Sequence, residues 1–143
     1  MRSSILLLGC VLLAACTSGP EIEPTGTAIE LTIDESFVLA PGETAVIAAR
    51  NMEITFVEVP EDSRCPEDVV CVWAGNALVQ LEVVRDGVEL AIGLNTTEGP
   101  ESAPVADNLE LALEGLGPMP TTPGPIDKGD YRATLRLRSI DGD

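Results

Sequence analysis

The chain contains no histidine at all. That absence excludes Ser-His-Asp and Cys-His catalytic constellations and every histidine-ligated zinc or copper site. Aromatic residues are scarce, with one Trp, one Tyr and two Phe in 143 residues, which leaves little material for a base-stacking or sugar-stacking platform. Cations are outnumbered by carboxylates, 8 Lys and Arg against 24 Asp and Glu, for a net charge of −16. A surface this acidic repels phosphate backbones, so nucleic acid is excluded as a partner. No glycine-rich phosphate-binding loop is present, and no cofactor is expected.

What is present begins at the N-terminus. Met1-Arg2-Ser3-Ser4 precedes the apolar run Ile5 to Leu12, then Leu13-Ala14-Ala15-Cys16. A positive start, an apolar run too short to span a bilayer and a small-residue cleavage site make an export signal. Leu-Ala-Ala-Cys resembles the lipobox of bacterial lipoproteins, which implies cleavage before Cys16 and acylation of its thiol. Residues 1–15 then form the signal peptide. The stretch that follows, Thr17 to Gly26, is rich in turn formers and has no apolar period. It reads as a tether (residues 16–26) that reaches at most about 35 Å when extended. Residues 27–143 make one domain of a size that suits a single core. Thr17 is not the Asp that resembles an inner-membrane retention signal, so the expected location is the cell envelope, and the outer membrane where the organism has one.

Cysteine arithmetic follows from the same cut. Cys10 leaves with the signal and Cys16 carries lipid, so Cys65 and Cys71 remain as a pair in an oxidising compartment. The expected bridge leaves no free thiol nucleophile. Ser63 has no Lys or His near it in sequence to act as a base.

The rest of the domain alternates. Strands are expected at Ala28 to Ile33, Phe37 to Leu39, Thr44 to Ala49, Met52 to Phe56, Ala77 to Val84, Val88 to Leu94, Leu109 to Leu116 and Tyr131 to Arg138. Asp86-Gly87 suits a two-residue type I′ hairpin turn. Gly117 to Pro125 is too proline-rich for a strand and reads as a long loop. About eight short strands without a convincing helical period indicate an all-β domain, an antiparallel sandwich (immunoglobulin-like) or a small barrel.

Three clusters are candidates for chemistry. Glu61, Asp62, Glu67 and Asp68 are a possible calcium site, although their spacing is not that of an EF-hand loop; the bland alternative is an acidic loop partly neutralised by Arg64. Lys128, Arg132, Arg136 and Arg138 form a positive row that is either a dock for an anionic envelope polymer or a set of cross-strand ion pairs. Trp73 lies two residues after Cys71, so on a strand both would point to one face, and the indole is expected to pack against the bridge in the core.

The block Asp62-Ser63-Arg64-Cys65-Pro66, followed by Cys71-Val72-Trp73-Ala74-Gly75-Asn76-Ala77, resembles that of a group of small, uncharacterised exported bacterial proteins, many of them lipoproteins. Asp130-Tyr131 before the last strand agrees with that pattern. The resemblance implies a small β domain with a Cys65 to Cys71 bridge and brings no activity. The functional expectation is therefore a non-enzymatic β module, held to the membrane through its lipid, that binds or supports an envelope protein or cell-wall polymer. A calcium-dependent binding module and a glycan hydrolase using an unassigned carboxylate pair are the alternatives.

Overall fold

The structure is a computed structural model that describes residues 31–122 and 124–140. The signal peptide, Cys16, the tether and the first half of the strand expected at Ala28 to Ile33 lie outside the described residues. The chain forms β1 (Ser36–Leu39), β2 (Thr44–Ile47), β3 (Met52–Asp62), β4 (Ala77–Arg85), β5 (Val88–Asn95), β6 (Ser102–Ala106), β7 (Leu109–Gly117) and β8 (Arg132–Ser139). Two four-stranded sheets pack together, one in the order β1-β8-β7-β6 and the other in the order β2-β3-β4-β5. Every pairing is antiparallel. The result is a β-sandwich with no closed barrel. Its strands follow one another around the molecule as neighbours, without the Greek-key crossings of immunoglobulin domains.

Alternation decides which face of each strand is inside. Met52, Ile54 and Phe56 on β3, Ala77, Val79, Leu81 and Val83 on β4, and Ala133, Leu135 and Leu137 on β8 are all buried. Each larger side chain among them contributes about 1.5–3 kcal/mol by leaving water. The β4–β5 hairpin turns on Asp86 at φ 51° and Gly87 at φ 78°, the positive pair that a type I′ turn requires.

Two irregularities shift the phase. On β3 the buried positions jump from Phe56 to Val59 across register shifts between Phe56 and Glu61, and on β7 they jump from Leu113 to Leu116 across a shift at Gly115. Such bulges bend a strand and re-aim its end. Both lie at the same end of the sandwich, where β3 runs into the Cys65–Cys71 segment and β7 into the proline-rich loop.

Two expectations are corrected. Leu31 to Ile33 are not strand but an irregular entry whose Leu31 and Ile33 pack against the core. Conversely, Ser102–Ala106 is a strand that its Pro104 conceals, since proline is tolerated only where no ladder donor is needed, as on this sheet edge.

The sandwich thus has two distinct ends. At one, Leu31 to Ile33 meet Ile47 to Arg50, and Asp34 N–H donates to Leu137 O at 2.8 Å. At the other, three loops gather: residues 63–76, 96–101 and 118–131. The chain enters the described domain at the first end and presents its longest loops at the second.

Candidate binding surface at the loop end

The loop end is built on one buried charge. Arg64 is the only buried charged residue among the described residues, 6% exposed. Its Nε and Nη2 donate to the two carboxylate oxygens of Asp62 at 2.9 and 2.6 Å, the planar fork-to-fork pairing that favours Arg over Lys. The remaining donors reach across to the end of β7 and the loop after it, Nη1 to Leu116 O at 2.5 Å and Nη2 to Pro118 O at 2.9 Å. Tyr131 closes the group by donating its hydroxyl to Asp62 at 3.1 Å. Burial pushes the Asp62 carboxyl up, but the hydrogen bonds and charge of Arg64 outweigh it and hold the group below its ordinary value. Burial and the facing Asp62 carboxylate push the Tyr131 hydroxyl the other way, above its ordinary value. The clamp ties β3, β7 and β8 together where their ladders end.

From Arg64 the chain enters the staple. Cys65 and Cys71 are bridged, with an S–S distance of 2.07 Å. The two legs of the loop are paired outside the bridge, Ser63 N–H to Asn76 O and Cys65 N–H to Ala74 O, both at 2.7 Å. This close approach is why Gly75 stands where it does. Its φ is +72°, and a Cβ there would collide with the Ser63 carbonyl.

Asn76 then fixes the neighbouring loop. Its Nδ2 donates to Asn95 Oδ1 at 2.7 Å, while its Oδ1 accepts the N–H groups of Thr96, Thr97 and Glu98 at 3.2, 3.1 and 3.3 Å. Thr97 Oγ1 also donates to Gly75 O. On the opposite flank Glu67 N–H donates to Pro120 O at 3.0 Å, and Asp68 accepts from both the N–H and the hydroxyl of Thr122. The Thr122 donors hold the Asp68 carboxyl below its ordinary value. The disulfide loop is therefore fastened on both sides.

What this frame presents is apolar. Val70 and Val72 are essentially fully exposed at 102% and 95%, and Trp73 is 77% exposed. The expectation that Trp73 packs in the core is overturned. The hydrogen-bonded legs project the loop beyond the ends of the sheets, so the positions around Cys71 have no facing layer to pack on. Phe37, Phe56 and Tyr131 are all buried, which makes Trp73 the sole exposed aromatic. Next along the chain, Ala74 lines an open hollow of about 300 Å³ with Leu113, Leu116 and Met119, and Arg64, Thr96, Thr97, Glu101 and Glu114 supply its polar lining.

The four acidic residues proposed as a calcium set are not gathered. Asp62 is committed to Arg64 and Tyr131, Asp68 to Thr122, and Glu61 and Glu67 are exposed on separate segments. Among the described residues no three His, Cys, Asp or Glu side chains lie close enough together to hold a metal ion. Of the four carboxylates, Asp62 is the one that pairs with Arg64.

The positive row is similarly spent. Arg136 pairs with Glu114 at 2.5 Å and Arg138 with Glu110 at 2.6 Å across the β7–β8 ladder, Lys128 approaches Glu58 at 3.6 Å, and Arg132 donates to the carbonyls of Gly129 and Tyr131. Ser36 and Arg136 together hold the Glu114 carboxyl below its ordinary value. Cross-strand pairing describes this face better than a dock for an anionic polymer. Arg64 and Asn76, which organise the loop end, were visible in sequence only as polar members of the cysteine block. No family model, curated protein or solved structure matches this chain.

Proposed function

We propose that this protein is a lipid-anchored, non-enzymatic module of the bacterial cell envelope that presents its loop end to another envelope component. The observation that carries the reading is the separation of the two ends: Leu31, the first described residue, lies at one of them beside Ile47 to Arg50, while the exposed apolar residues of the stapled loop lie at the other. Loops grouped at one end of a rigid sandwich are a recurrent way of building a recognition surface. An exposed Trp in such a setting gives a large contact area at little entropic cost.

Labelling cells with palmitate tests the anchor. The wild-type protein is expected to take up label and Cys16→Ala to take up none; label retained in the variant would refute the assignment. Incubating the purified protein with cell-wall glycan tests the non-enzymatic part, and release of soluble saccharide by it would overturn that part.

A further inference from the structure

The reading above leaves the partner's chemistry open, and the loop end carries an inference about it that rests on that reading. We propose that the loop end is a docking surface for an apolar, positively charged segment of a partner protein, its apolar side chains seated in the Ala74, Leu113, Leu116 and Met119 hollow and against Trp73.

Three observations argue for this occupant. The first is the character of the tip. Val70, Val72 and Trp73 lie within four residues of the stapled loop, are all strongly exposed, and carry a single side-chain polar group, the indole N–H. A glycan would need hydrogen-bond partners for its hydroxyls that the Val70, Val72 and Trp73 side chains do not offer, and it would find them only in the polar lining of the hollow, whereas apolar side chains of a protein segment need only the area. The second is rigidity. The bridge, the paired legs and the Asn76 and Asp68 fastenings hold the patch in place before any partner arrives, so little ordering entropy is lost on binding.

The third is charge. Glu61, Glu67, Glu98 and Glu101 are exposed around this end, against three cations near it: Arg64 inside the clamp, Lys128 beside Glu58, and Arg132 donating to the Gly129 and Tyr131 carbonyls. An acidic border selects a partner bearing Lys or Arg and speeds its encounter. The same border repels a second copy of this chain, which carries −16, and repels a bilayer with anionic headgroups.

Because Trp73 is the only tryptophan, its fluorescence reports this site alone. The probes are three tryptophan-free peptides of about fourteen residues in helical period: Leu with Lys, Leu with Glu, and Ser with Lys. The Leu-Lys peptide is expected to shift Trp73 emission to the blue and to protect it from acrylamide. Its affinity should exceed that of either other peptide by at least about tenfold and should fall as salt rises. Trp73→Ala and Val70→Ser should each weaken binding of labelled Leu-Lys peptide by about tenfold or more. Val38→Ser, an exposed apolar residue on β1, is the control and should leave binding unchanged.

Equal binding of the Leu-Glu peptide, or Trp73→Ala binding as well as wild type, overturns the proposal. So does protection of Trp73 only by phosphatidylcholine–phosphatidylglycerol vesicles, which would make the site a lipid contact, or protection that rises with protein concentration alone, which would make it a self-association face. None of these results alters palmitate labelling of Cys16, so the anchor and the partner chemistry fail separately.

Discussion

Replacing Arg64 with methionine keeps most of the side-chain bulk and removes the guanidinium. Asp62 then loses its cation and two hydrogen bonds, and the carbonyls of Leu116 and Pro118 lose their donors. Breaking a buried ion pair from one side costs about 3–5 kcal/mol. Asp62 is half-buried and keeps the Arg64 backbone N–H and the Tyr131 hydroxyl, which places the expected loss near the lower end, about 3 kcal/mol. For a domain of this size that lowers Tm by about 10 °C.

Urea titration of both proteins between pH 7 and pH 2 reads the magnitude and its cause together. The Asp62 carboxyl is held below its ordinary value in the folded state, so its contribution is present above the unfolded value, about pH 4, and is lost as pH falls through the folded one. Arg64→Met lacks that contribution. The stability gap between the two proteins should therefore be widest near neutrality and should narrow on acidification. The double variant Asp62→Leu, Arg64→Met removes the stranded carboxylate and should recover at least about 1 kcal/mol relative to Arg64→Met. A single variant within about 0.5 kcal/mol of wild type, the scatter expected of a plain surface change, would refute the clamp. A gap that widens toward acid would refute its electrostatic origin.

Gly75→Ala should destabilise by more than about 2 kcal/mol, because it combines a positive φ with a Cβ driven into the Ser63 carbonyl; a variant that melts like wild type would show that the loop legs separate without cost. Reducing the Cys65–Cys71 bridge, which closes a short loop, should cost about 2 kcal/mol, read as the shift in urea midpoint with and without reductant. In the reduced protein the Arg64 clamp should persist, so the pH dependence of stability below neutrality should be unchanged; its loss would mean that staple and clamp form one unit.

The strands were legible wherever one face is buried and the ladder is regular. Ala77 to Val83 and Tyr131 to Leu137 alternate strictly because each second residue meets the opposite sheet. Legibility stopped where the backbone departs from that period. β3 continues to Asp62, but its bulges break the alternation after Phe56, and β6 reads as loop because Pro104 lies within it. The bridge was legible from cysteine counting. The fate of Trp73 was not, since the i, i+2 argument holds only if the segment is a strand under a facing sheet, and hydrogen bonds between Ser63, Cys65, Ala74 and Asn76 lift it clear of both. The charged rows could not be resolved either, because pairing of Arg136 with Glu114 and Arg138 with Glu110 depends on register across residues far apart in sequence.

The four outer strands of the two sheets differ in one respect that bears on crowding. β1, β2 and β6 span four, four and five residues, and β6 carries Pro104, so none of the three offers a long row of free donors to a neighbour. β5 is eight residues long and leaves Val88 and Leu90 exposed at 69% and 44%. Strand-templated aggregation between copies, when it is provoked by heat or by neutralising the carboxylates at low pH, should therefore start along β5. A lysine in place of Leu90 would block that seam and raise the concentration at which the protein stays monodisperse, without touching the surface around Trp73.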